Sequence, residues 1–499
     1  MATTETQAPG TVQGEVRMLI DGELVEAASG KRFDNINPAT EEVLGQVADA
    51  SAEDMQRAIA AARRAADETD WSTNHQFRKQ CLLQLHEAIE SEKEELRHEL
   101  VAEVGCPIGL TYGPQLDAPL SDALMWPAEF IDQFEWERDL PDNYAFGGHS
   151  TRKVVREAAG VVGAIVPWNY PFEVSSQKIG QALATGNTVI LKPAPDTPWN
   201  ATRLGRLALD KTDIPAGVFQ VVTSSDHLVG EELVTSPLVD LISFTGSTAT
   251  GKRIFEKGSA TMKRLFLELG GKSADIVLDD ANLEGKMGGA CFIAVHGGQG
   301  CVMATRMLVP RKLYDKAIEI AAPGFESFPY GDPNDMGNLM GPLVSAKQRD
   351  RVLGYIEKGK EEGARVVVGG GKPAHLDQGW YVEPTLFADV DNNMTIAREE
   401  IFGPVLIVIP FEDDDDAVRL ANDNQYGLGG YVTSGSVERA MAVGRRLKAG
   451  TISINGGAQY GADAPFGGYK ASGVGRQNGR EGFQQYTEVK TYAVGVPQE

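Results

Sequence analysis

Cysteine is scarce in this chain of 499 residues: there are four, at positions 81, 106, 291 and 301, and no two stand in a CxxC spacing. That argues against a disulfide framework and against a structural zinc site, and it leaves a lone thiol available as a nucleophile. Histidine is also thin: seven residues, at 75, 86, 98, 149, 227, 296 and 375, include no i, i+4 pair of the kind that clasps a metal on one helix face. No metal is expected. Positive charge is in deficit, with 47 Lys and Arg against 70 Asp and Glu and a formal charge of −23, so phosphate backbones and anionic lipid surfaces repel the chain. No apolar run approaches the ~18 residues of a membrane span, and Met1 to Gly10 has no basic segment followed by an apolar stretch. The expectation is a cytoplasmic protein with neither a nucleic-acid nor a membrane partner.

What is present describes an ordinary folded enzyme-sized chain. Forty-two per cent hydrophobic and 23% charged residues suit a soluble core, and at roughly 150 residues per domain the length implies two or three domains. Ser51-Ala-Glu-Asp54 reads as a capping box before Met55, Ile59, Ala62 and Ala66, which recur at helical spacing. Leu82, Leu85, Ile89, Leu96 and Leu100 mark one further helix, ending near Gly105. From residue 159 onward, short apolar runs (161–166, 188–191, 218–222, 241–244) alternate with amphipathic stretches, the pattern of a parallel sheet with helices on both faces. A second such series begins near Leu269. The segments 140–158 and 484–499, rich in Val, Thr and Tyr, belong to neither and need strand partners, either each other or another subunit. The run Glu412 to Asp416 precedes Ala417, Val418 and Leu420 and reads as the acidic first turn of a helix.

Four segments carry possible chemistry. Gly297-Gly-Gln-Gly-Cys301 puts a thiol on a glycine-rich bend, where backbone N–H groups can approach a substrate oxygen; alone, it is equally a buried packing cysteine. Cys291 reads as packing. Glu268 ends an apolar strand just before Gly270-Gly271, a costly place for a carboxylate unless it is paired or employed. The run Val161 to Val166, Pro167, Trp168, Asn169 breaks a strand at the sheet's carboxyl end, where α/β proteins bind ligands, and the Asn169 amide is either a turn former or an oxyanion donor. Gly246-Ser247 follows another strand and opens a helix, where backbone N–H groups and the helix dipole can receive a pyrophosphate; a glycine between strand and helix equally relieves packing.

Taken in order, the segments PWNYPF, LKPAPDTP, FTGSTATG, LELGGKS, GQGC, EEIFGPV and APFGGYKASGVGR resemble the aldehyde dehydrogenase superfamily from about residue 160 to 476. The resemblance implies two doubly wound α/β domains and a small β arm: a coenzyme domain over 1–139 and 159–268, a catalytic domain over 269–483, and an oligomerisation arm over 140–158 and 484–499. It implies oxidation of an aldehyde to a carboxylic acid. Cys301 would be the nucleophile, Asn169 and the Cys301 N–H the oxyanion donors, and Glu268 the base that hydrolyses a thioester. On the coenzyme side it implies Val166, Pro167, Trp168, Lys192, Pro195, Gly246, Ser247, Leu269, Gln348, Glu400 and Phe402. NAD is the implied cofactor, and a homodimer or homotetramer the implied assembly. Tyr170, Val174, Gln177, Val302 and the Asn455 to Tyr460 loop would flank the aldehyde channel.

Two positions depart from the family pattern. Where NAD-preferring members carry a Glu three residues after the Lys, this chain has Pro195, which admits NADP. Where a Glu follows the SGxGR segment and relays protons with the Lys matching Lys178, this chain has Gln477. Three other readings compete. A nucleotide-free cysteine hydrolase pairing Cys301 with His296 leaves the nucleotide-loop motifs idle. A catalytically silent member would have lost Cys301 or Glu268. An acyl-transfer member forming coenzyme A thioesters is opposed by Glu268.

Overall fold

The computed structural model describes residues 12–497; residues 1–11, at the head of the 1–139 segment, and 498–499, at the tail of the 484–499 segment, lie outside the described residues. Among the described residues the apolar runs after residue 159 form one sheet, with neighbours in the order Gly473–Val474, Arg264–Glu268, Leu241–Thr245, Val161–Ile165, Thr188–Lys192, Phe219–Val221, Met18–Ile20, Glu23–Val25. The central strands run parallel. Side chains alternate faces at period two. Val162, Ala164, Val189 and Leu191 pack with the helices His75–Ser91, Pro171–Ala184 and Trp199–Lys211. Val161, Ile190, Ile242 and Phe244 pack on the other face with Ala52–Glu68, His227–Thr235 and Thr248–Gly258. Both faces are covered, which is why these strands read as unbroken apolar runs.

The sheet is parallel only at its centre. Met18–Ile20 pairs antiparallel with Glu23–Val25 and with Phe219–Val221, and at the other edge Gly473–Val474 pairs antiparallel with Leu267 and Glu268. Gly473, at φ 129°, would place a Cβ 1.9 Å from the Leu267 carbonyl oxygen, so only glycine closes that edge. A second sheet, in the order Arg365–Val368, Thr385–Ala388, Val405–Phe411, Arg306–Pro310, Ala274–Val277, Gly429–Thr433, Thr451–Ile454, is parallel apart from its first, antiparallel pair. The two outlying segments pair with each other, His149–Ala158 against Thr487–Val496 over ten residue pairs, and Glu137–Asn143 flanks the former.

Two local readings need revision or gain detail. The single helix read over Leu82 to Leu100 is two, His75–Ser91 and Lys93–Val104, broken at Glu92 (φ −120°, ψ 25°). The interval from Ile89 to Leu96 conceals the break, because it keeps one face apolar whether or not the helix is continuous. The Glu92 carboxylate at the junction meets Arg203 and Arg206. The acidic run does open a helix, Asp414–Asn422, with the Asp413 side chain accepting from the Asp416 N–H at 2.9 Å, and its carboxylates pair with Arg439, Arg419 and Arg446.

One long-range cap holds the helix that follows Thr188–Lys192. The helix Trp199–Lys211 begins at Pro198, which has no capping side chain; the buried Glu103 of Lys93–Val104 supplies it, accepting from the N–H groups of Trp199 (2.9 Å) and Asn200 (3.1 Å) and from the side chains of Asn200 (2.9 Å) and Asn35 (3.1 Å). This fixes the turn from Lys192 to Pro198. Glu103→Ala orphans buried donors at a cost of about 2 to 4 kcal/mol, and the outcome to expect is a clearly lowered urea midpoint, whereas Glu42→Ala, at an exposed site, leaves it within about 0.5 kcal/mol.

Candidate active site

Four parallel strands end at one edge, and each delivers a residue singled out above: Trp168 and Asn169 after Val161–Ile165, Lys192 on Thr188–Lys192, Gly246 and Ser247 after Leu241–Thr245, and Glu268 on Arg264–Glu268. The second sheet brings Cys301 against this edge on the loop before Arg306–Pro310. Between them lies a cavity of about 430 Å³. Cys301, Glu268 and Asn169 line it together with Pro167, Trp168, Gly246, Ser247 and Leu269. So do Gln348, Glu400 and Phe402, and the channel residues Tyr170, Val174, Gln177, Val302 and Tyr460.

The bend that presents Cys301 demands its glycines. Gly297 and Gly298 have φ of 65° and 66°, and a Cβ on Gly298 would fall 2.1 Å from the Gly403 carbonyl oxygen. From the opposite side, a Cβ on Gly271 would sit 2.7 Å from the Cys301 oxygen. The loop is thus pinched between two backbones. The thiol faces the Glu268 carboxyl, and burial together with the charges of Glu268, Glu400 and Glu173 drives its pKa well above the ordinary thiol value. Glu268 is itself pushed up by burial and pulled back by Lys178, and its Oε1 has no hydrogen-bond partner.

Asn169 is oriented by groups that no sequence motif reveals. Its Nδ2 donates to the Gln299 carbonyl at 2.8 Å, which uses one of two amide hydrogens and leaves the other for the cavity. Its own carbonyl accepts from Gln115 Nε2 at 2.9 Å and from His296 Nε2 at 2.8 Å. Gln115, His296 and Gln299 are all buried. His296, whose pKa burial lowers to about 4, is therefore a neutral strut beneath Asn169 with its Nε2 proton committed, not a base directed at Cys301. The signal that would have found Gln115 is absent from the chain, because its partners lie 54 and 181 positions away.

Beneath Glu268, the buried Lys178 Nζ donates to Ser243 Oγ at 3.0 Å and, at 3.5 Å, to Gln477 Oε1, and it lies 4.5 Å from the Phe266 ring centre. Burial lowers its pKa and Glu268 opposes that. Gln477 is tied in turn to Gln181 Oε1 at 2.8 Å, and Ser243 Oγ to the Tyr486 hydroxyl at 2.9 Å.

At the far end of the cavity Trp168 and Phe402 meet edge to face, 5.4 Å between ring centres, and Gln348 Nε2 holds the Phe402 carbonyl at 2.8 Å. Glu400 Oε1 accepts the Gly271 N–H at 2.9 Å, close enough that a Cβ on Gly270 would strike Oε2 at 2.3 Å. Ser247 caps the helix Thr248–Gly258 by accepting from the Thr250 N–H at 3.2 Å, and Leu269 is buried against Gly251 of that helix. Three of the singled-out residues do not line the cavity and lie further along the same edge. Val166 donates its N–H to the Lys192 carbonyl at 3.1 Å. Lys192 Nζ makes only long contacts, to the carbonyls of Pro193 (3.4 Å) and Ser224 (3.5 Å), and burial lowers its pKa to about 8. Pro195 is exposed. Among the described residues no helix is long and apolar enough to cross a membrane.

Comparison with known proteins agrees across nearly the whole chain. The sequence model of the aldehyde dehydrogenase family matches residues 24–492. A 3-succinoylsemialdehyde-pyridine dehydrogenase of a Pseudomonas species is 40% identical over 475 residues, covering 94% of this chain and 97% of the relative. Among solved structures, betaine aldehyde dehydrogenase of Staphylococcus aureus in complex with NAD+ superposes with a TM-score of 0.93 at 35% identity, covering 97% of this chain and 96% of the other. The aldehyde dehydrogenase KauB of Pseudomonas aeruginosa does so at 0.92 and 38%, covering 97% of each.

The four thiols differ in access. Cys81, Cys106 and Cys291 are buried while Cys301 is half-buried at the cavity wall, so iodoacetamide is expected to modify Cys301 first, as read by peptide mass mapping. Because burial and the neighbouring carboxylates hold the Cys301 thiol protonated, its labelling rate should climb as pH is raised from about 7 to about 10. Earlier modification of Cys291 would contradict the placement.

Proposed function

Because the chain belongs to the aldehyde dehydrogenase family, we propose that it oxidises an aldehyde to a carboxylic acid through a thioester on Cys301, with NAD as the hydride acceptor. The observation that carries this reading is the meeting of the Cys301 thiol, the Glu268 carboxyl and the Asn169 amide in one cavity that continues to the Ser247 helix start.

The Cys301 proton has to leave before attack, since burial and three carboxyls oppose the thiolate. That proton passes to water in the cavity as the aldehyde binds, which leaves the Glu268 carboxylate, backed by Lys178, free for the hydrolytic step. Sulfur then bonds to the carbonyl carbon as the π pair moves onto oxygen. The free Asn169 amide hydrogen and the Cys301 backbone N–H hold the oxyanion. When bound, the nicotinamide of NAD supplies the acceptor for the hydride that leaves this carbon, and the oxygen pair closes to a thioester. Glu268 next takes a proton from water as water oxygen attacks; the carbon–sulfur bond breaks and Cys301 leaves as thiolate. Lys178 keeps a proton at Nζ beneath this exchange. Gln477 accepts its hydrogen bond but is a neutral amide and takes up no proton, so the usual Lys–Glu relay does not operate here.

The residues fit the dinucleotide. Lys192 Nζ, with only long contacts to carbonyls, has donors to spare and would hold the ribose hydroxyls; the helix start at Ser247 would receive the pyrophosphate; Glu400 and Phe402 would hold the nicotinamide end. We assign 1–139 and 159–268 to coenzyme binding, 269–483 to catalysis and 140–158 with 484–499 to an oligomerising arm, whose exposed Tyr144, Val489, Tyr492 and Val494 offer an apolar surface to another subunit. A homodimer or homotetramer in the cytoplasm follows from this reading.

Two variants test the chemistry together. Cys301→Ala should abolish aldehyde oxidation while nucleotide binding persists, and Glu268→Gln should show, by rapid quench, a burst of reduced cofactor followed by a steady state lowered by about 10² or more. A Glu268→Gln protein in which burst and steady state fall together places the indispensable role of Glu268 at the thiol; turnover by Cys301→Ala refutes the mechanism.

Cofactor choice is checked separately. Pro195 neither binds ribose hydroxyls nor repels a 2′-phosphate, so NADP should be accepted measurably beside NAD. Pro195→Glu should shift the NAD to NADP ratio of kcat/KM toward NAD by about five- to 150-fold. An unchanged ratio would place the 2′-position away from residue 195.

A further inference from the structure

The half of the cavity away from the coenzyme carries a carboxylate that the chemistry above does not employ. Glu173 lines it with Tyr170, Val174, Val302, Tyr460 and Phe466. Its place in the first turn of Pro171–Ala184 favours a negative charge, which accounts for its tolerance on the helix. It does not account for its facing a chamber whose other walls are apolar, aromatic or neutral amide, a setting in which an uncompensated carboxylate is costly. The partners of Glu173 are neutral: Gln177 Nε2 donates to Oε1 at a long 3.4 Å, and the Tyr460 hydroxyl is close by. Among the described residues no Lys, Arg or His forms an ion pair with it. The ionisable groups beside it, Glu268, Cys301, Tyr170 and Tyr460, add no positive charge, and, among the described residues, the one Lys or Arg in the cavity lining, Arg351, is held at the Glu400 side by its bond to the Glu400 carbonyl at 2.7 Å. Burial raises the Glu173 carboxyl to about 7, as expected for an acid without a counter-ion.

The walls opposite suit a cation as well. Tyr460 and Phe466 meet edge to face with 5.1 Å between ring centres, and Tyr170 adds a third ring. Aromatic faces attract a desolvated cation, and a carboxylate beside them adds direct Coulomb attraction. We infer that the substrate is an aldehyde bearing a cationic nitrogen at its far end, with Glu173 as its counter-ion and the Tyr170, Tyr460 and Phe466 rings around it. The inference rests on the aldehyde-oxidising reading of this cavity and adds the substrate class. It also accounts for the orientation of charge along the chamber: the reacting carbonyl goes to the donors at Asn169 and Cys301, and the cation to the acceptor at Glu173.

The test uses shape-matched pairs. Trimethylammonioacetaldehyde is compared with its neutral isostere tert-butylacetaldehyde, and the homologues longer by two methylenes are compared likewise, by kcat/KM in the full-length protein. The parent should favour the cationic member of at least one pair by about tenfold or more. That ratio should fall by about ten- to a hundred-fold in Glu173→Gln and be partly retained in Glu173→Asp. Competitive inhibition of the parent by tetramethylammonium gives a readout that needs no variant. The inference is overturned if the neutral members are preferred in the parent, or if Glu173→Gln lowers both members equally, as a purely helix-stabilising role would require. Oxidation of neutral aldehydes alone leaves the proposed function standing and removes only the substrate class, whereas a protein that turns over no aldehyde of either kind loses both.

Discussion

The arrangement depends on one steric constraint: the backbone carrying Cys301 must pass between two other backbones with no room for a Cβ on either side. Gly298 against Gly403 and Gly271 against the Cys301 carbonyl bring the second sheet's loop onto the carboxyl edge of the first. The cavity that Cys301, Glu268 and Asn169 share is a product of that contact. Asn169 and Glu268 come from one sheet and Cys301 from the other, so a displacement of a fraction of an ångström between the sheets would separate the thiol from the carboxyl and the amide it meets. Glycine at these positions therefore acts on geometry between the two sheets, and its local conformational freedom is only half of the matter.

A second theme is the concentration of negative charge where a thiol must ionise. Glu268, Glu400 and Glu173 all oppose a Cys301 thiolate; Lys178 offsets Glu268, Arg351 and Lys272 offset Glu400, and among the described residues no cation offsets Glu173. Such surroundings oppose ionisation of the sulfur. Positive charge arriving in the chamber relieves the repulsion directly, and an electrophile relieves it by taking the sulfur's electron pair. Rest and reactivity are then separated by occupancy.

Much of this was readable in the chain, for definite reasons. Strands buried on both faces announce themselves as unbroken apolar runs, so Val161–Ile165, Thr188–Lys192 and Leu241–Thr245 appear where the alternation put them. Motifs at strand ends located Asn169, Ser247 and Glu268 on one edge because a parallel sheet aligns all its carboxyl ends. What escaped was set by long-range contacts: the break at Glu92, the cap that Glu103 lends to a helix a hundred residues away, and the struts Gln115, His296 and Gln299 beneath Asn169. Gly473–Val474 is too short for periodicity to register. Glu173 was overlooked because in sequence it is simply an acid in a first helical turn; only the cavity shows which way it faces.

The path of the last residues has a consequence for how the molecule comes into being. Gly473–Val474 edges the strand of Glu268, Gln477 meets Lys178, Tyr486 joins Ser243, and the chain then enters Thr487–Val496. The sheet that frames the base thus includes Met18–Ile20 near one end of the sequence and Gly473 near the other. During synthesis the early strands have to wait for several hundred residues before their last edge partner emerges, a topology that folds slowly and leaves an open, apolar sheet edge meanwhile. A nascent chain stalled short of Tyr486 would carry Cys301 and Glu268 and yet lack the frame that holds them in register, so the cavity is complete only once the segment from Gly473 to Tyr486 has emerged.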